Sequence, residues 1–194
     1  MLTWLYDKMN AIQPLDATIF QHFDNCFEWI DLPKNNLILR ESEVCHYLYV
    51  LQSGLVRMYH IKDGKEINSL FIDEGYFFTA PDSFYNRQPS YHFIETLQQS
   101  TIARIHFNKL DQLYKTYPEL NYVGRVITEN YFVWSEERLF LLRKNNAEER
   151  YQYFLEHYPN LLQKIPLKFI ASYLGMNEET LSRIRNKMSK NNLK

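Results

Sequence analysis

Glycine is scarce in this sequence, 5 in 194 residues, and no GxGxxG or GxxxxGKS/T run occurs. The usual glycine loop for a nucleotide's phosphates is therefore excluded. The 2 cysteines, Cys26 and Cys45, form no CxxC pair and are too few for the thiolates of a typical iron–sulfur cluster. They read as buried thiols of a reducing cytoplasm. No apolar run reaches the ~18 residues of a membrane span. The segment MLTWLYDKMNAIQPLD lacks the basic-then-apolar order of a signal peptide. A cytoplasmic protein with no membrane partner is expected. No His-x-His suggests a cupin-type metal site, and no nucleophile elbow is present. His22, His46, His60, His92, His106 and His157 are expected as ordinary strand or surface residues, with no metal, no cofactor and no catalytic residue among them.

Aromatic carbon is plentiful, at 16% of residues, and the 45% apolar fraction is ample for a core. Charge is unevenly spread. From Leu161 onward, Lys164, Lys168, Arg183, Arg185, Lys187, Lys190 and Lys194 face only Glu178 and Glu179, a net +5 in a chain of net −1. That asymmetry suggests an anionic partner for the tail. Leu15, Ile19, Phe23 and Phe27 form one apolar stripe and predict a helix within Pro14–Phe27. Between Trp29 and His106, runs such as NLILR, HYLYVL, LVRMYHI, EINSLFI, YHFIETL and STIARIH alternate with turn signals. They predict an antiparallel sandwich or barrel, with Asp63-Gly64 as its clearest hairpin. Pro118 opens a long helix carrying Leu120, Val123, Ile127, Tyr131, Trp134, Arg138 and Leu141 at three-four spacing. This stripe packs either on its own barrel or against a second copy of the chain. Lys144-Asn145-Asn146 ends it, and Asn146 is placed to cap the next helix, with Glu148 and Glu149 in its first turn.

The segment LKFIASYLGMNEETLSRIRNK divides into two short apolar-periodic halves. Leu167, Ile170, Ala171 and Leu174 share one face, Gly175 breaks the helix, and Asn177 can cap the second half, whose buried stripe is Leu181, Ile184 and Met188. Tight spacing and the small Ala171 fit a helix-turn-helix, although two amphipathic helices alone also fit an ordinary packed pair. IASYLGMNEETLSRIRNK resembles the recognition motif of the Crp/Fnr family of bacterial transcription factors, and the order of elements agrees over nearly the whole chain. The resemblance implies an α+β fold: a jelly-roll domain like a cyclic nucleotide-binding domain with an N-terminal helix over residues 1–117, a dimerisation helix over 118–145, and a DNA-binding helix-turn-helix over 146–194. It implies double-stranded DNA, a second copy of the chain and RNA polymerase as partners, and a DNA surface made by Asn177, Glu178, Glu179, Thr180, Ser182, Arg183, Arg185 and Lys187. Glu178 stands where some relatives carry arginine. The family's β-wing is expected to be missing or minimal.

Family members that bind cyclic AMP carry a Gly-Glu pair and an Arg-Ser pair around the cyclic phosphate. Here Gly75 and Phe77 match the approach, Thr79-Ala80 stand where Gly-Glu is expected, and Ser90-Tyr91 stand where Arg-Ser is expected. Arg87 lies three residues early. With Ser135 on the long helix, these residues are the candidate effector pocket, which either takes a more apolar small molecule or is filled by side chains. The expected function is a transcriptional regulator not controlled by classical cyclic-AMP binding. A cupin-like metalloenzyme and a β-roll interaction module with a helical tail are the alternatives.

Overall fold

In the computed structural model, residues 3–144 and 146–191 are described. Asn145, the side chain of Lys190, and residues 192–194, where any wing would begin, lie outside them. Helix α1 (Thr3–Ile12) was not foreseen, although Leu5 and Met9, four apart, are both buried. Helix α2 (Ala17–Asp24) buries Phe20 and Phe23, and the Asp16 side chain caps it by accepting the Thr18 N–H at 2.7 Å.

Strands β1 (Glu28–Leu32), β2 (Leu37–Leu39), β3 (Tyr47–Ser53), β4 (Val56–Lys62), β5 (Lys65–Ile72), β6 (Phe77–Phe78), β7 (Phe93–Thr96) and β8 (Ser100–His106) form two four-stranded sheets. Their orders are β1-β8-β3-β6 and β2-β7-β4-β5. Strand β8 pairs antiparallel with both β1 and β3. Val50, Leu51, Ile102, Ala103 and Ile105 from β3 and β8 are fully buried. Asp63 and Gly64 join β4 to β5 with φ of 52° and 72°. Two consecutive positive φ values are what a tight primed hairpin turn requires. One buried charge pair lies in this region: Arg57, 4% exposed, donates from Nε to Glu95 at 2.8 Å.

Helix α3 (Pro81–Asn86) sits between β6 and β7, and α4 (Phe107–Thr116) follows β8. His106 caps α4, its Nδ1 accepting the Asn108 N–H at 3.1 Å. Helix α5 (Pro118–Lys144) has 27 residues and starts on proline, as expected at a first helical position. Helices α6 (Ala147–His157), α7 (Leu167–Tyr173) and α8 (Glu178–Asn191) complete the chain. Asn146 and Glu149 form a reciprocal capping box at the start of α6.

The chain divides into two compact units, one of Met1–Met58 and Phe71–Phe132, the other of Tyr59–Leu70 and Val133–Lys194. The end of the β4–β5 hairpin therefore groups with the helices. Inside this second unit, Trp134 Nε1 donates to the Tyr158 hydroxyl at 3.0 Å, and the Arg138 guanidinium lies 4.2 Å from the Tyr173 ring centre. Ser172 on α7 accepts from Asn68 N at 2.7 Å and from Asn68 Nδ2 at 3.2 Å, while its hydroxyl lies 3.2 Å from the Glu66 carbonyl oxygen it donates to.

Candidate nucleic-acid interface

The turn between α7 and α8 follows from its sequence. Ile170, Ala171 and Leu174 are buried to 1% exposure or less. Gly175 adopts φ 64°, the left-handed conformation that costs glycine least. Its N–H bonds the Ser172 carbonyl at 3.1 Å, and the Met176 N–H reaches back to Ala171 at 3.0 Å. Together these bonds are the Schellman closure of a helix. Asn177 then caps α8, accepting the Thr180 N–H at 2.8 Å. Leu181 and Ile184 are buried beneath it.

The opposite face of α8 is a shallow depression lined by Asn177, Glu178, Glu179, Ser182, Arg183, Asn186 and Lys187. Six of the eight residues expected at DNA are thus brought together. Thr180 is half-buried beside the cap. Arg185 lies beside Tyr151 of α6; burial pushes the Tyr151 hydroxyl up and Arg185 partly offsets this. Lys187 is at the rim, but its Nζ is held 2.6 Å from Glu148 on α6. Sequence reasoning missed two residues here. Asn186 is signalled by its spacing, seven after Glu179 on the same helical face. Glu148 was read only as a helix-start acid, and its pairing across helices has no sequence signal.

The candidate effector residues fall into separate groups. Gly75 turns the chain from β5 to β6, accepting Lys8 Nζ at 3.4 Å, and Phe77 pairs with Val50 in the sheet. Thr79 and Arg87 both serve the buried Cys45 segment: Thr79 Oγ1 lies 3.3 Å from Cys45 Sγ, and Arg87 Nη1 donates to the Cys45 carbonyl at 3.0 Å. Arg87 also donates to Phe84 O at 3.1 Å and meets His46 Nδ1 at 2.8 Å, so its guanidinium is committed within the fold. Ala80 is fully buried before α3, and Ser135 lies on α5, in the second unit. Ser90 and Tyr91 converge on a residue not anticipated, Asp82. Its Oδ2 accepts Ser90 Oγ and Tyr91 N, each at 3.2 Å, and its Oδ1 lies 3.3 Å from His92 Nδ1. A carboxylate already takes the donors that an anionic ligand at this loop needs. These residues do not fit a cyclic nucleotide's phosphate, because an anion leaving water requires unspent donors and a cation.

The comparisons agree with this architecture. Residues 29–117 match the family model of the cyclic nucleotide-binding domain. Electron transport regulator A of Shewanella oneidensis is 27% identical over 174 residues, 84% of this chain and 69% of the relative. The fumarate and nitrate reduction regulatory protein of Vibrio cholerae is 26% identical, with the same 84% and 69%. Among solved structures, FixK2 from Bradyrhizobium japonicum superimposes with a TM-score of 0.74 at 19% identity, over 86% of each chain. The c-di-GMP responsive regulator CLP of Xanthomonas campestris gives 0.75 at 18%, over 92% of this chain and 94% of that one. The fold is a cyclic nucleotide-binding-type jelly roll followed by a long helix and a helix-turn-helix. In sequence and in fold the chain is similar to regulators of the Crp/Fnr type. These relatives are named as regulatory proteins, not as metalloenzymes. Among the described residues, no helix is long and apolar enough to cross a membrane.

Proposed function

We propose that this chain is a cytoplasmic, homodimeric transcriptional regulator that reads duplex DNA with α8 and acts with RNA polymerase. The exposed face of α8 is the observation that carries the reading. Its hydrophobic stripe is spent on α6 and α7, and its other face offers Glu179, Ser182 and Arg183 with no partner among the described residues. In such a motif the recognition helix enters the major groove by its N-terminal part. Arginine then donates to guanine, a carboxylate accepts from cytosine, and serine binds phosphate or base. The dimer would form along α5, where Phe132, Val133, Leu139 and Phe140 are 41–63% exposed. Residues 1–117 act as the sensor, 118–145 as the dimer helix and 146–194 as the reader. Any effector is more apolar than a cyclic nucleotide and is sensed near Phe77, Phe78, Phe84, Tyr85 and Tyr91. It would act by shifting the population of two arrangements of the readers.

Selection of duplex DNA from a random pool tests the reading. A two-fold-symmetric site with half-sites about one helical turn apart is expected; no enrichment sinks it. Calorimetry with cyclic AMP and cyclic GMP should give no binding heat. Low-micromolar binding lost in Arg87→Ala would show that Arg87 replaces the family arginine.

A further inference from the structure

Asn186 shares the depression on α8 with Glu179, Ser182 and Arg183. Its amide has no partner among the described residues and is exposed, whereas its neighbour Lys187 is held by Glu148 and Arg185 lies beside Tyr151. Seven residues after Glu179, it lies almost on the same line along the helix, about 10 Å further on. Arg183 lies between them, about 6 Å from Glu179 along the axis. Bases on one strand repeat about every 3.4 Å. The face from Glu179 to Asn186 therefore spans about three base steps, close enough for one helix to follow the groove.

The chemistry of the three side chains differs. A carboxylate only accepts and suits the amino group of cytosine; a guanidinium only donates and suits O6 and N7 of guanine. A primary amide does both, and matches the adenine edge by accepting from N6 and donating to N7. Resting on the DNA-binding reading above, we propose that Asn186 is a specificity-determining residue that reads an adenine in each half-site, about three base pairs from the position read by Glu179.

Random-pool selection followed by sequencing, run on the full chain and on Asn186→Ala, tests this. The unaltered chain should enrich a symmetric site with adenine at one position in each half. Asn186→Ala should enrich the same site with that one preference flattened, and should bind the parent site about tenfold or more weakly. Intact preferences elsewhere in the site show that the variant's α8 is folded. An unchanged profile, or a uniform loss of affinity with every preference retained, overturns the role of Asn186 alone and marks it as a bystander or a phosphate contact. Failure of the unaltered chain to enrich any site overturns the DNA-binding reading and this proposal with it.

Discussion

Two side-chain pairs set opposite limits on what a single substitution can do. Arg57 is almost wholly buried and its charge is met by Glu95. Removing the carboxylate takes from a buried guanidinium a charged partner in a poor dielectric. Glu95→Ala is therefore expected to cost about 3–5 kcal/mol, read as a lower urea midpoint; a loss below ~1 kcal/mol would mean that water reaches Arg57. The Lys187–Glu148 pair is different, because both partners are largely exposed. Its strength matters less than its direction: the carboxylate holds a cation back from the face proposed to read DNA. Glu148→Gln should leave stability almost unchanged and release Lys187 toward a phosphate. The plot of log affinity against log salt should then steepen by about one unit. An unaltered slope would show that Lys187 already reaches DNA from its ion pair. Arg183→Ala should weaken specific binding by about 1–3 kcal/mol, measured by anisotropy on the selected site.

At the scale of an element, the start of α4 carries a pH dependence. His106 caps this helix through an unprotonated Nδ1. Burial, then the neighbouring His46 and Arg87, hold its pKa below the ordinary 6.5. As pH falls through 6.5, the unfolded chain takes up this proton and the folded chain resists it. The contribution is thus present above that pH and lost below it. Asn caps helices without titrating. His106→Asn should therefore lose less melting temperature than the unaltered chain between pH 7 and pH 5.5, and parallel curves would refute the assignment. His106 also marks how far sequence could be read. The strand runs, the Asp63-Gly64 turn, the Asn146 cap and the Gly175-Asn177 hinge were legible because each is fixed by a few neighbouring residues. Helix α1 was passed over because its stripe is only Leu5 and Met9. Strand β6 has two residues, too short for any period. Asp82 taking donors from Ser90 and Tyr91, and Glu148 holding Lys187, depend on tertiary approach that no local spacing records.

For the whole molecule, assembly along α5 is the testable consequence of its exposed apolar side chains. Burying one phenylalanine contributes about 1.5–3 kcal/mol, so placing like charges there should be decisive. Phe132→Glu with Phe140→Glu is expected to sediment as a monomer and to lose binding to a two-fold site while each sheet stays folded. A variant that remains dimeric would move the seam elsewhere. The contact of Ser172 with Asn68 bears on the order in which the chain assembles. Its partners are 104 positions apart in sequence. The helices around Ser172 can form from local contacts, but this bond waits until a distant hairpin exists and a long loop has closed. The Asn68 amide is buried and donates to the Ser172 side chain. It should be among the last amides to gain protection from hydrogen exchange during refolding, and among the first to lose it when α7 and α8 loosen.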